Sequence, residues 1–175
     1  MYEASIYYFK QASEADKNNI DPYINLGNVY TLHKNYTNAI QFFELAHKID
    51  QTNLNVINNL SFLYNEIDKL IESKILKLID KYFPDHQISG EEFGQKFSNS
   101  KYKWVIDPID GTKALVCGQP TWSNLIGLIE NDYPKMGLAN FPILKKYYYS
   151  DSINSYCCNK NKKIINQKYN AFQES

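Results

Sequence analysis

Sliding the chain against itself by 34 residues pairs Phe9 with Phe43, Ala12 with Ala46, Leu26 with Leu60 and Tyr30 with Tyr64. A self-match at that spacing belongs to helical arrays, in which each unit buries its apolar face on the next. Between Ile20 and Asn53 the apolar periodicity predicts two amphipathic helices joined by a polar turn near His33 and Tyr36. Gly27, Ala39 and Ala46 are small enough to let those helices pack closely. Residues 1–19 fit only the second helix of such a unit, and residues 54–67 only the first helix of the next.

The pattern resembles a tetratricopeptide repeat, with Leu26, Gly27, Tyr30, Ala39, Phe43 and Ala46 at the signature positions and Pro22 where a preceding repeat would end. Gln51 stands where that motif usually carries proline. The resemblance implies one full repeat, residues 20–53, between two halves. It leaves two readings open: a scaffold that binds a protein partner, or a packing platform for the C-terminal part of the chain. An array needs about three units to stand alone, which favours the platform.

Composition narrows the partners. Lysine plus arginine and aspartate plus glutamate are 19 each, so no net field draws in nucleic acid or an anionic membrane. Hydrophobic residues make up 43% of the chain, enough for a folded core. Cys117, Cys157 and Cys158 lack metal-ligand spacing, and no stretch has the length of a signal core or a membrane span. The expectation is reduced thiols and a cytoplasmic, soluble chain.

Beyond the repeat, Ile67, Leu70, Ile71, Ile75, Leu78 and Ile79 recur at helical spacing, predicting a helix to about Tyr82 that Pro84 ends. "KYKWVIDPIDG" then reads as a strand delivering Asp107 at its end, and "GTKAL" as a short helix or turn. The run from Thr121 to Asp151 reads as two or three strands around turns at residues 131–134 and 140–142, so the class is α+β with antiparallel pairs.

Glu91, Glu92, Asp107, Asp110 and Thr112 crowd two tight turns. Asp107 and Asp110 lie three apart around Pro108, so both carboxylates can aim at one spot with the Ile109 carbonyl between them. Such all-oxygen sets suit Mg²⁺, which keeps waters and is often completed by substrate phosphate. Gly111 and Thr112 would offer backbone N–H groups to that phosphate.

"GEE" followed by "WVIDPIDGT" resembles the signature of the Mg²⁺-dependent inositol monophosphatase superfamily, and "KALVCGQPTWSNLIGL" is similar to its histidinol-phosphate phosphatase branch. The resemblance spans residues 65–151. It implies that Glu91, Asp107 and the Ile109 carbonyl hold one metal, that Asp107 bridges to a second held with Asp110, and that Thr112 orients the attacking water. With Gly111, Thr112 would also hold the phosphate. Asp68 falls where the family has an aspartate that orients this threonine, although Asn65 replaces the usual threonine of that stretch. Glu92 would stand behind the ligands. The implied reaction is hydrolysis of a phosphorylated small-molecule alcohol by two ions roughly 4 Å apart.

The family's later aspartate, in a WD-type motif, has no counterpart after Asp151. The fold expected is therefore α+β: tetratricopeptide-type helices over residues 1–66, the N-terminal α/β half of a sugar-phosphatase-like fold over 67–151, and a divergent tail over 152–175. Weak or absent turnover is expected, with self-association as a means of completing the site. An interaction module or a decayed gene product are the alternatives. His33, His47 and His86 read as surface or capping residues, the lysine-rich stretch of residues 160–168 as a solvated tail, and Tyr147–Tyr149 as part of a strand.

Overall fold

Asn19, Asn35 and Asn53 each precede a predicted helix, and each side chain accepts a backbone N–H two or three residues on, at 3.0, 3.3 and 3.2 Å. These caps satisfy amide donors that a helix start leaves without partners. In the computed structural model, which describes residues 2–159 and 162–167, the helices they open are α2 (Asp21–Leu32), α3 (Tyr36–Ile49) and α4 (Leu54–Tyr82), preceded by α1 (Tyr2–Ala15). Pro22 sits in the first turn of α2, where its missing N–H costs nothing.

The chain divides into two compact units, residues 1–67 and 68–175, and the division falls inside α4. In the first unit Leu26, Tyr30, Ala39, Phe43, Ala46, Val56, Leu60, Leu63 and Tyr64 are buried. The Tyr64 hydroxyl donates to Glu44 Oε1 at 3.0 Å; burial, reinforced by the Glu44 charge, raises its pKa above the usual phenol range. His33 is exposed as expected, whereas His47 is half-buried.

In the second unit the strands are β1 (Gln87–Gly90), β2 (Gln95–Lys96), β3 (Tyr102–Asp110), β4 (Ser123–Glu130), β5 (Tyr133–Phe141), β6 (Lys146–Ser150), β7 (Ser155–Asn159) and β8 (Lys162–Gln167). They form one sheet in the order β2-β1-β3-β4-β5-β6-β7-β8. Ile75, Leu76 and Ile79 of α4 cover Ile88, Trp104 and Ile106 on its first strands. His86 is part of this packing and not a surface residue: its Nδ1 accepts the Trp104 indole N–H at 3.1 Å and its ring stacks on Phe83.

Three features depart from the sequence reading. The β1–β3 pair is parallel, because β2 folds back on β1 and the chain must return along residues 97–101 before β3 begins. The turns lie at Asn131–Asp132, both with positive φ, and at residues 142–145, so Pro134 and Asn140 are inside β5. Pro134 is tolerated because β6 pairs only with residues 137–141 of β5, leaving its N–H side without a neighbouring strand. Residues 155–159 and 162–167, expected to lie in a divergent tail, continue the sheet as strands; residues 168–175 lie outside those described.

Candidate metal and phosphate site

Alternation along β3 turns Trp104 and Ile106 toward α4 and leaves Val105 and Asp107 for the other face. Past Asp107 the regular ladder breaks. Asp107 pairs with Leu125 and Asp110 with Ser123, so three steps on β3 match two on β4. Such a bulge re-aims side chains. Pro108 and Ile109 fill it and are buried. Asn124 Nδ2 donates to the Pro108 carbonyl at 2.5 Å, and Asn140 Nδ2 holds Asn124 Oδ1 at 2.7 Å. The buried Ser123 hydroxyl donates to Asp110 Oδ2 at 3.3 Å.

Gly111 then takes φ +88°, a left-handed conformation that favours glycine, and opens the five-residue helix α5 (Thr112–Val116). The Thr112 hydroxyl donates to the Ile109 carbonyl at 3.2 Å. A hydroxyl has one proton to give, and here it goes to the backbone at Ile109. The Ile109 oxygen keeps a second lone pair.

On α4, Asp68 and Glu72 are four residues apart and share one face; they are 2% and 0% exposed. The Glu72 carboxylate accepts the backbone N–H groups of Glu92 at 2.9 Å and Phe93 at 3.0 Å. Gly90 begins this turn, and its N–H reaches the Gly94 carbonyl at 2.8 Å. A methyl group at residue 90 would stand 2.0 Å from Glu72 Oε1. A side chain there would displace the Glu72 carboxylate from its present position.

The carboxylates lie within one another's field. Burial, followed by the charges of Glu92, Glu91 and Glu72, pushes the Asp68 pKa up to about 6. Burial, a hydrogen bond to the Glu91 carboxyl, and the charges of Glu91, Asp110 and Asp68 push Asp107 up to about 7. Asp68 Oδ1 and Asp107 Oδ1 are buried without a hydrogen-bond partner. Unpaired buried oxygens among like charges are costly unless a cation or proton joins them. Among the described residues no three His, Cys, Asp or Glu side chains already stand at metal-holding spacing. The donor chemistry nevertheless fits a hard divalent ion: every available atom is oxygen, and two buried ones are unsatisfied.

A pH dependence results. Both aspartates bind protons more tightly in the fold than in the unfolded chain. Their contribution to stability is complete below the usual carboxylate pKa near 4 and is lost as pH rises through about 6 and about 7. Glu130 moves the other way, held down to about 2 by hydrogen bonds from Lys101 and Lys135, and so is already ionised across that window. The melting temperature in chelator should fall between about pH 4.5 and 7.5, and millimolar Mg²⁺ should reverse the fall at the upper end. A flat profile in chelator would show that the acids are not coupled in this way.

A model of the inositol monophosphatase family matches residues 35–174. The chain belongs to the inositol monophosphatase family. Its relatives include the fructose-1,6-bisphosphatase/inositol-1-monophosphatase of Aquifex aeolicus, 41% identical over 83 residues, covering 47% of this chain and 31% of that protein. The histidinol-phosphatase of Mycobacterium tuberculosis is 34% identical over 85 residues, covering 49% and 33%. Among solved structures, the inositol monophosphatase from Anabaena superposes with a TM-score of 0.51 at 28% identity, over 58% of this chain and 42% of the other. The chain thus spans about a third of the length of these two curated relatives. The family match begins at residue 35, within the stretch whose spacing resembles a tetratricopeptide repeat. No helix among the described residues is long and apolar enough to cross a membrane.

Sequence reasoning named Asp68, Glu91, Asp107 and Asp110, and the structure brings all four within electrostatic reach of Asp107 or one another. It missed Glu72, Ser123 and Asn124. Glu72 was open to detection, since it follows Asp68 by one helical turn on a face otherwise apolar. Ser123 and Asn124 required the β3–β4 register and had no local signal.

Proposed function

We propose that this chain carries the metal- and phosphate-binding part of a Mg²⁺-dependent phosphate monoester hydrolase. The observation that carries the reading is the pair of buried, unpartnered oxygens on Asp68 and Asp107, surrounded by further acids on three different elements. In this reading Glu91, Asp107, the Ile109 carbonyl and Asp110 are the metal-holding groups, with waters completing the set. Glu91 and Asp110 are exposed, so their side chains can turn toward a shared ion. A bound divalent ion supplies a water of lowered pKa and stabilises developing negative charge on phosphate oxygens.

The chain's own residues would do the rest. Ser123 holds one Asp110 oxygen, which fixes the other for ligation. The Asn140–Asn124–Pro108 relay keeps the bulge between the two aspartates from relaxing. The Gly111 and Thr112 N–H groups would receive the phosphate, and the Thr112 hydroxyl, resting on the Ile109 carbonyl, would orient the attacking water. Asp68 adds negative charge behind Asp107 and favours its pairing with a cation over solvent.

The substrate class is a phosphorylated small alcohol. Histidinol phosphate is preferred to inositol monophosphate on the likeness of residues 113–128 to the histidinol branch and on the histidinol-phosphatases among the relatives. Organisation of residues 1–66 as tetratricopeptide-type helices belongs to the same proposal, supported by the 34-residue spacing and the α2–α3 pairing.

Phosphate release from histidinol phosphate and inositol monophosphate, with Mg²⁺ and with chelator, tests the reading. Mg²⁺-dependent release, faster with histidinol phosphate, is the expected result. Release that is unchanged by chelator would exclude the metal role, and equal rates would remove the substrate preference.

A further inference from the structure

We infer that Glu72 is a positioning residue for the metal-binding turn: its buried carboxylate clamps the backbone of Glu92 and Phe93 and thereby sets the place of Glu91. The inference rests on the metal reading of the site and adds a residue to it.

The clamp is defined by three observations. Glu72 is fully buried in α4, and both of its oxygens accept main-chain N–H groups from the turn. Two N–H donors on a carboxylate are charge-assisted bonds, stronger than neutral ones. Gly90 approaches so closely that only the absence of a side chain leaves room for the carboxylate. Finally, Glu91 lies between Gly90 and the clamped Glu92, and its carboxyl meets that of Asp107. Fixing the peptides on its C-terminal side fixes the direction from which Glu91 approaches Asp107.

A structural glutamate that merely filled space would tolerate loss of one acceptor, whereas a clamp would not. Glu72→Gln keeps the volume but turns one acceptor into an N–H₂ donor facing an N–H. Gly90→Ala leaves Glu72 intact and pushes its carboxylate off the turn. Ile79→Val trims the core beneath the same helix without touching the turn and serves as a control for lowered stability.

The experiment has two readouts on the full chain: amide exchange of Glu92 and Phe93 by NMR, and Mn²⁺ affinity by titration. For Glu72→Gln and Gly90→Ala, exchange at one or both amides should quicken at least about tenfold, and Mn²⁺ affinity should weaken by a similar factor. Ile79→Val should keep both values near those of the parent at a comparable loss of melting temperature. Unchanged exchange in Glu72→Gln overturns the clamp. Faster exchange with unchanged Mn²⁺ affinity leaves a turn-stabilising role only and overturns the positioning inference. A parent chain that shows protected amides but binds no Mn²⁺ sinks the metal reading itself, and the positioning role falls with it.

Discussion

Asp107→Asn should abolish Mg²⁺-dependent phosphate release while leaving the chain in chelator as stable at neutral pH as the parent, or more so. The two halves of this result have one cause. Asp107 sits among Glu91, Asp110 and Asp68, and its carboxyl prefers to keep a proton until about pH 7. Asparagine has the same shape, carries no charge and offers an N–H₂ group to the Glu91 oxygen, so repulsion in the fold is relieved. On the proposed metal reading, removing the charge would deprive a shared ion of the carboxylate that the other acids surround. A loss on the order of a thousandfold or more is expected for a group that holds the metal and the charge it stabilises. Phosphate release and the melting temperature in chelator should be measured on the same preparation. Lost activity together with a strongly lowered melting temperature would mean that the residue serves the fold, and the site assignment would fail.

Phe43→Ala should destabilise the first unit by about 3–5 kcal/mol. The side chain is 0% exposed, and its ring lies directly on Gly27 of the neighbouring helix. Truncation leaves a void that α2 and α3 cannot close, because Ala39 and Ala46 already bring them together with little side chain to spare. For a unit of this size that loss is comparable with its whole stability. Urea unfolding followed by circular dichroism should show helical signal lost at a much lower concentration. Phe62→Ala, at a position 50% exposed, should cost about 1 kcal/mol or less. Equal costs at the two positions would contradict the packing described for residues 1–67.

The helices were legible because each signal was local. Apolar spacing gave their faces, and Pro84 the limit of α4. The acids at residues 91, 107 and 110 were legible for a related reason: Pro108 and Gly111 announce a sharp change of direction beside them. Long-range pairing was not. Nothing in "QISG" or "QK" says that β2 returns on β1 and leaves β3 parallel to it. The strands after Asp151 were missed because short polar-apolar mixtures such as "SINSYCCNK" carry a weak alternation that becomes a strand only beside β6. Glu72 was passed over because a glutamate in a helix is ordinarily at home in solvent; its partners, the amides of Glu92 and Phe93, are about twenty positions away.

The β3–β4 bulge also bears on the order in which the molecule forms. The first unit is built from neighbouring helices, whose contacts are local and form early. The acidic cluster is different: Asp68, Glu91, Asp107 and Asp110 are all synthesised before Ser123, Asn124 and Asn140, the residues whose side chains hold the bulge in shape. A nascent chain that has emerged only as far as Thr112 therefore carries every mutually repelling carboxylate and none of the β4 groups that organise them. The site can therefore be organised only after β4, and Asn140 of β5 behind it, have been made.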